Sequence, residues 1–375
     1  MKWNRAASSF VLLAASCVSL MGQSVTGPIV MGAGYEYPTP LYLAPGQLVT
    51  LFVAAVPLGI GFARAPGNSD LPTSLAGISS GMTDLVTPGV RALKVPILEV
   101  RRFRTCAAPT TPACFTPTGA VTVQVPYELG LTPLGVGAAT LGVHVEASSD
   151  LPFSIDVFVL SDKIHMLKAL DAVLPITAGG LSGHCYSYVK NDVAAPLNRT
   201  GLPCPPMVTH ADGSLVTARN PAKPGEELVA YAVGLGQTSP PLETGRIVTA
   251  PARTLTAFTM DFNYRPNALP TRPPPMTADG DGAVVPQPLY AGATPGYVGL
   301  YQINFVVPPV PPGTPPCAEI VGPQAPTANM VYSNLTVSVG GRYSFDGAGI
   351  CVAVDAPQPS AASIGPEPEG RRNPR

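Results

Sequence analysis

Two stretches of this sequence repeat one pattern. PGQLVTLFVAAVPLG (residues 45–59) and PGEELVAYAVGLG (residues 224–236) both place Pro-Gly ahead of a polar residue, an alternating apolar run and a Leu-Gly ending. Further on, VTVQVPYEL (121–129) matches YQINFVVPP (301–309). Pro45 to Pro224 is a shift of 179 residues and Pro126 to Pro308 a shift of 182, so two separate matches share nearly one offset. A constant offset marks an internal repeat, in which each copy folds as the same unit.

Within each copy the apolar residues recur with period two. In LVTLFV, Leu48, Thr50 and Phe52 point one way and Val49, Leu51 and Val53 the other. TLGVHVEA and FSIDVFVL continue the first copy; NLTVSVGG and GICVAV close the second. The chain carries 46 Pro and 38 Gly, which punctuate it too often for long helices. The fold expected is all-β: two tandem antiparallel β-sandwiches, which the resemblance given below makes immunoglobulin-like, joined by a hairpin linker with at most one short helix.

The expected layout runs from a signal peptide (1–23) through a first sandwich (24–162) and a connecting segment with a hairpin (163–222) to a second sandwich (223–355) and a disordered tail (356–375). KIHMLKALDAV (163–173) is the one candidate helix, and GHCYSYV with MVTHADGSLVT the candidate linker hairpin. In ELVAYAV (227–233) the larger set, Val229, Tyr231 and Val233, is expected to face the core, with Leu228, Ala230 and Ala232 on the other face.

The formal net charge is -1. Without Lys2 and Arg5 it stands at 20 basic against 23 acidic residues, and no basic stripe is present to follow a phosphate backbone. Nucleic acid is therefore not an expected partner. MKWNRAASSFVLLAASCVSLMGQS sets two cations before a short apolar run and then small residues, the layout of a secretory signal peptide. The apolar run is short for a membrane span, so the mature chain is expected to have no transmembrane segment. Ala14 stands where a lipoprotein acylation site would have Leu, three residues before Cys17.

Six cysteines remain after the signal: Cys106, Cys114, Cys185, Cys204, Cys317 and Cys351. An even count in an exported chain points to disulfides, and local pairing gives Cys106–Cys114, Cys185–Cys204 and Cys317–Cys351. No CxxC or paired-His spacing supports zinc.

Catalytic vocabulary is sparse. GISSG (77–81) fits G-x-S-x-G, but that motif needs a strand, a sharp turn and a helix, whereas a strand and turn are expected here. His144, His165, His184 and His210 share no metal-ligand spacing. Asp279 and Asp281 in DGDG read better as an exposed Asp-Gly turn than as a calcium loop. In PLYAGATPGYVGLYQIN, Tyr301 and Ile303 alternate with Gln302 and Asn304, which reads as a packed strand. No catalytic residue and no cofactor is assigned. The function expected is an exported, non-catalytic binding or structural protein of the cell surface or extracellular space, with a cell-surface protein or glycan as partner. The alternative is a secreted hydrolase acting on a polymer.

The series Asp212-Gly213, Asn220-Pro221-Ala222, Pro224-Gly225-Glu226, Gly234-Leu235-Gly236, Tyr290-Ala291-Gly292, Pro295-Gly296 and Gly299 to Asn304 resembles a large family of secreted bacterial proteins, abundant in soil bacteria, that carry an uncharacterised C-terminal domain. The resemblance covers about residues 25–355. It is specific in the second half and looser in the first, which departs from the family after Val95 with the Cys106–Cys114 insertion. The domain starts also resemble immunoglobulin-like folds of transcription factors and cell-surface receptors. The resemblance implies export and a β-sandwich, and supplies no activity and no catalytic residues.

Export makes the first testable statement. Mass spectrometry of the secreted or periplasmic fraction should find a mature N-terminus between Leu20 and Val25; intact Met1 in a cytoplasmic pool would contradict it.

Overall fold

A computed structural model describes residues 29–33, 41–54, 62–89, 91–103, 118–146, 154–168, 206–264, 284–285, 288–318 and 333–354. The first half contributes β1 (Ile29–Ala33), β2 (Leu41–Leu43), β3 (Leu48–Ala54), β4 (Ala63–Arg64) and β5 (Ser74–Leu75). It continues with β6 (Ile78–Asp84), β7 (Arg91–Lys94), β8 (Ile97–Phe103), β9 (Thr118–Gln124), β10 (Val136–Val145) and β11 (Ser154–Leu160). Next come β12 (His165–Met166), β13 (Val208–Thr209), β14 (Glu227–Val233), β15 (Thr238–Ser239) and β16 (Ala252–Thr254). The last are β17 (Thr259–Asn263), β18 (Val284–Val285), β19 (Tyr290–Ala293), β20 (Tyr301–Val306), β21 (Leu335–Gly340) and β22 (Phe345–Ile350).

These strands make two tandem sandwiches. The first packs the sheet β1-β3-β9-β8-β4 against β2-β11-β10-β6-β5, with β7 on β6. The second packs β12-β14-β20-β19-β16-β15, with β13 on β14, against β18-β17-β21-β22. Among the described strands only β2 and β11 pair in parallel.

The repeat is visible in the register. β3 meets β9 with Leu48 opposite Gln124, and β14 meets β20 with Glu227 opposite Val306. Leu48 to Glu227 is the shift of 179 and Gln124 to Val306 the shift of 182. The Pro-Gly turns obey it too: the Gly46 amide donates to the Val125 carbonyl, and the Gly225 amide to the Val307 carbonyl. Gly46 and Gly225 both have positive φ, which is why Gly follows Pro at the entry to each copy.

Each core is built from the inward face of facing strands. Val49, Leu51 and Val53 of β3 meet Leu141 and Val143 of β10 in the first core. In the second, Leu228, Ala230 and Ala232 of β14 join Tyr301, Ile303 and Phe305 of β20 against Val337 and Val339 of β21. This reverses the side expected for β14. The fully buried Tyr301, Ile303 and Phe305 stand directly opposite Ala232, Ala230 and Leu228. They already fill the inner space, so small residues fit across from them, while Val229 and Tyr231 lie half-buried on the outer face.

The expected helix at 163–173 is also overturned over its described part. Residues 163–168 run extended, and the described residues contain no helix. The Lys163 amide donates to the Gly234 carbonyl (2.7 Å), the Ile164 amide to Ser344 Oγ (2.7 Å) and the Leu167 amide to the Tyr231 carbonyl (2.9 Å). Partners across the molecule satisfy the backbone better than a two-turn helix would. MVTHADGSLVT folds back on itself around Asp212-Gly213, with Thr209 bridged to Leu215, and β13 adds to β14. GHCYSYV, its expected partner, lies outside the described residues, as do the signal and tail segments.

Cys317 and Cys351 form the disulfide expected of them. Asn334, fully buried beside it, donates to the Pro315 and Val352 carbonyls and accepts from the Val352 amide. Ala222, in the Asn-Pro-Ala motif, bonds the same strand end through Cys351 and Ala353. Cys106, Cys114, Cys185 and Cys204 lie outside the described residues.

The two sandwiches share buried contacts. Tyr127 leaves the first and packs into the hydrophobic cluster of the second, its hydroxyl 3.1 Å from that of Tyr301. Burial pushes its pKa up to about 12. Glu128 accepts from the Thr244 hydroxyl and amide, Gln124 Oε1 from the Gly245 amide (2.6 Å), and Asp70 from Arg246 and the Ile247 amide. Ala65 and Leu71 of the first sandwich meet Val298 of the second in a small apolar cluster.

Gly234 and Gly236 carry positive φ. A Cβ on them would stand 1.9 Å from the Lys163 carbonyl oxygen and 2.0 Å from that of Ser161. Gly236→Val should therefore cost more than about 3 kcal/mol in thermal melts, by clash and strain together. Tyr231→Ala, on the outer face, should cost about 1 kcal/mol or less. Equal losses for the two would refute this assignment of faces.

Candidate binding face

The outer face of the second sandwich's larger sheet collects polar and aromatic side chains in register. Tyr231 of β14 stands opposite Gln302 of β20, Gln302 opposite Gly292 of β19, and Gly292 opposite Arg253 of β16. One step along the strands, Val229, Asn304 and Tyr290 align in the same way. All four strands are held by their inward residues, so the face rests on rigid elements rather than loops.

Its polar groups are linked. Gln302 Nε2 donates to Asn304 Oδ1 (3.0 Å), and Asn304 Nδ2 donates to Glu227 Oε1 (3.0 Å). Arg253 lies with its guanidinium carbon 5.0 Å from the Tyr290 ring centroid and donates to the Leu289 carbonyl (3.1 Å). The Tyr290 hydroxyl donates to the Ala293 carbonyl (3.0 Å), and burial raises its pKa. A Cβ on Gly292 would meet that hydroxyl at 2.6 Å, so the bare glycine lets the ring lie over the sheet.

A second aromatic feature lies on the first sandwich. Tyr42 and Phe158 stack with ring centroids 5.3 Å apart, and Lys163 Nζ sits 5.4 Å from the Tyr42 centroid.

The residues singled out for chemistry fall elsewhere. GISSG begins at the second residue of a two-residue hairpin turn, Ala76-Gly77, both at positive φ, and its other four residues lie in β6. A strand follows where a nucleophile elbow would need a helix. Ser79 pairs across the sheet with His144, and Ser80 Oγ donates to the Gly142 carbonyl (2.9 Å). His144 lies on the outer face of β10. His165 is buried with Asp346, whose carboxylate also accepts the Met166 amide (2.8 Å) and lies 3.7 Å from Lys168 Nζ. Burial pushes that carboxyl up, but Lys168 and His165 more than offset it and hold it well below the usual range. His184 and Asp279-Gly280-Asp281-Gly282 lie outside the described residues. Among the described residues no group of three or more His, Cys, Asp or Glu could hold a metal ion.

His210 has a structural employment. Its Nδ1 lies 2.6 Å from Glu226 Oε1 and its Nε2 bonds the Asn220 carbonyl (3.2 Å). Glu226 Oε2 accepts the Lys223 amide, and Asp212 accepts the Ser214 amide and hydroxyl. The motif residues from Asp212 to Glu226 thus fasten the 208–217 hairpin to the entry of β14.

No protein-family model and no curated protein matches the sequence. Among solved structures, the Streptococcus agalactiae AgI/II polypeptide BspA C-terminal domain is similar at 9% identity, over 88% of this chain and 99% of that chain, with a TM-score of 0.15. A likeness of that size bears on neither fold nor function.

Alternation in YQIN marks Gln302 and Asn304 as outward. Tyr231 and Arg253 escape sequence reading, because their side depends on which set of the neighbouring strand is bulky.

The His210 contacts carry a pH dependence. Burial lowers the ring's pKa, but the Glu226 carboxylate, with Asn220 and Asp212, raises it on balance above 6.5. A raised folded-state pKa gives stability that is complete below the unfolded value and lost as pH rises through the folded one. The melting-temperature gap between the parent and His210→Gln should therefore be widest near pH 6 and shrink towards pH 9. A gap independent of pH would refute the ion pair.

Proposed function

We propose that the chain is an exported, non-catalytic binding or structural protein acting at the cell surface or in the extracellular space. The outer face of β14, β20, β19 and β16 is the observation that carries this reading. It presents half-buried aromatics and linked amides that the core does not use. The Cys317–Cys351 disulfide fits an oxidising compartment, as do the signal-like N-terminus and the resemblance to secreted bacterial proteins. The shared contacts around Tyr127 give a two-sandwich body able to hold that face in a fixed orientation. No helix among the described residues is long and apolar enough to cross a membrane.

An array of glycans and extracellular proteins tests the reading. The mature chain should be retained by at least one class in a saturable way and leave the bound component at its original mass. Cleavage of a component by the parent but not by Ser79→Ala would replace this reading with that of a secreted hydrolase. Retention by no class would remove the binding function.

A further inference from the structure

We infer that the outer face of β14, β20, β19 and β16 is a binding site for a neutral polysaccharide chain, an inference that rests on the binding function proposed above. The four strands are neighbours at the usual spacing, so the face runs about 14 Å across. That length accommodates a run of sugar units laid across the strands. Tyr231 stands at one end of the row and Arg253, against Tyr290, at the other; Gln302 and Asn304 lie between.

The chemistry suits a polyol. Sugars offer apolar C–H faces and paired hydroxyls that both donate and accept. A tyrosine ring takes the first, and primary amides with a carboxylate take the second. Here the amides are already aligned, because Gln302 holds Asn304 and Asn304 holds Glu227. Asn304 is engaged at both ends, whereas Gln302 and Glu227 are each engaged at one, so the Gln302 side-chain carbonyl oxygen and the second Glu227 oxygen stay available to an outside donor. Their rotamers are fixed before binding, which lowers the entropy lost on contact.

Charge narrows the ligand. The face carries one acid, Glu227, and one base, Arg253, at separate places, so its middle is neutral. Arg253 is engaged by Tyr290 and the Leu289 carbonyl, which disfavours an anionic polymer needing several free cations. A protein partner would call for an apolar centre with a polar rim, whereas here the amides hold the centre and Val229, Val306 and Leu289 lie around them.

Native gels cast with hydroxyethylcellulose, laminarin or galactomannan, and with alginate as the anionic comparison, test the inference on the mature chain. At least one neutral polymer should slow the parent. Tyr231→Ala, and Gln302→Ala with Asn304→Ala, should weaken that retardation roughly tenfold in apparent Kd. Tyr231→Phe keeps the ring and should bind nearly as the parent does. His144→Ala, on the other sandwich, should not change binding, and thermal melts check that each variant is folded. Should Tyr231→Ala fail to fold, the Gln302 and Asn304 pair and the surface variant Arg253→Ala carry the test. A parent that runs freely in all three neutral gels overturns the inference, and so does equal retardation of parent and folded face variants. Retardation by alginate alone overturns the neutral class while leaving the binding function standing.

Discussion

One buried carboxylate organises the joint of this molecule. Asp162 lies at the end of the first sandwich and is fully buried. It accepts the backbone amides of Arg342, Tyr343 and Ser344 and the Ser344 hydroxyl, all from the turn between β21 and β22 of the second sandwich. A buried charge away from water is tolerable only when so many donors meet it. Gly341 has to be bare, since a Cβ there would lie 2.5 Å from Asp162 Oδ2. The crossing chain is thereby fixed to the far sandwich at its first step.

The neighbouring residues follow from that attachment. The carbonyls of Ser161 and Lys163 come within reach of β14's exit, and only glycine leaves room there, at Gly236 and Gly234. Ile164 and Met166 then donate to Ser344 and Asp346, and the chain enters the second sandwich as β12. The Gly-Leu-Gly motif is thus explained by close approach of two backbones. Asn-Pro-Ala and Pro-Gly-Glu have similar explanations, in the last strand's anchor and the His210–Glu226 contact. What these explanations do not account for is the outer row of Tyr231, Gln302, Asn304 and Arg253, none of which is required by the core.

Much of this was legible in the chain. The repeat, the strand positions and the Pro-Gly turns rest on local chemistry: period-two alternation, φ preferences and a constant offset. β14 was read with the bounds it has, and Cys317–Cys351 as a pair. The inward side of β14 was not legible, because both its faces carry apolar residues and alternation alone has no sign. The extended path of 163–168 was missed for a related reason. Its residues favour a helix locally, and the groups that draw them out, Ser344, Asp346 and Gly234, lie far along the sequence.

The sequence by itself therefore determined two copies of one β unit, where several of their strands lie, and which residues must turn sharply. Tertiary structure alone decided the choice of faces and the union of the two copies. Tyr301, Ile303 and Phe305 fill the second core, so Ala230 and Ala232 go inward and Tyr231 is left outside. Tyr127 enters that same core from the other copy. Packing is a contest for volume among residues distant in sequence, and its outcome is settled only when all of them are in place.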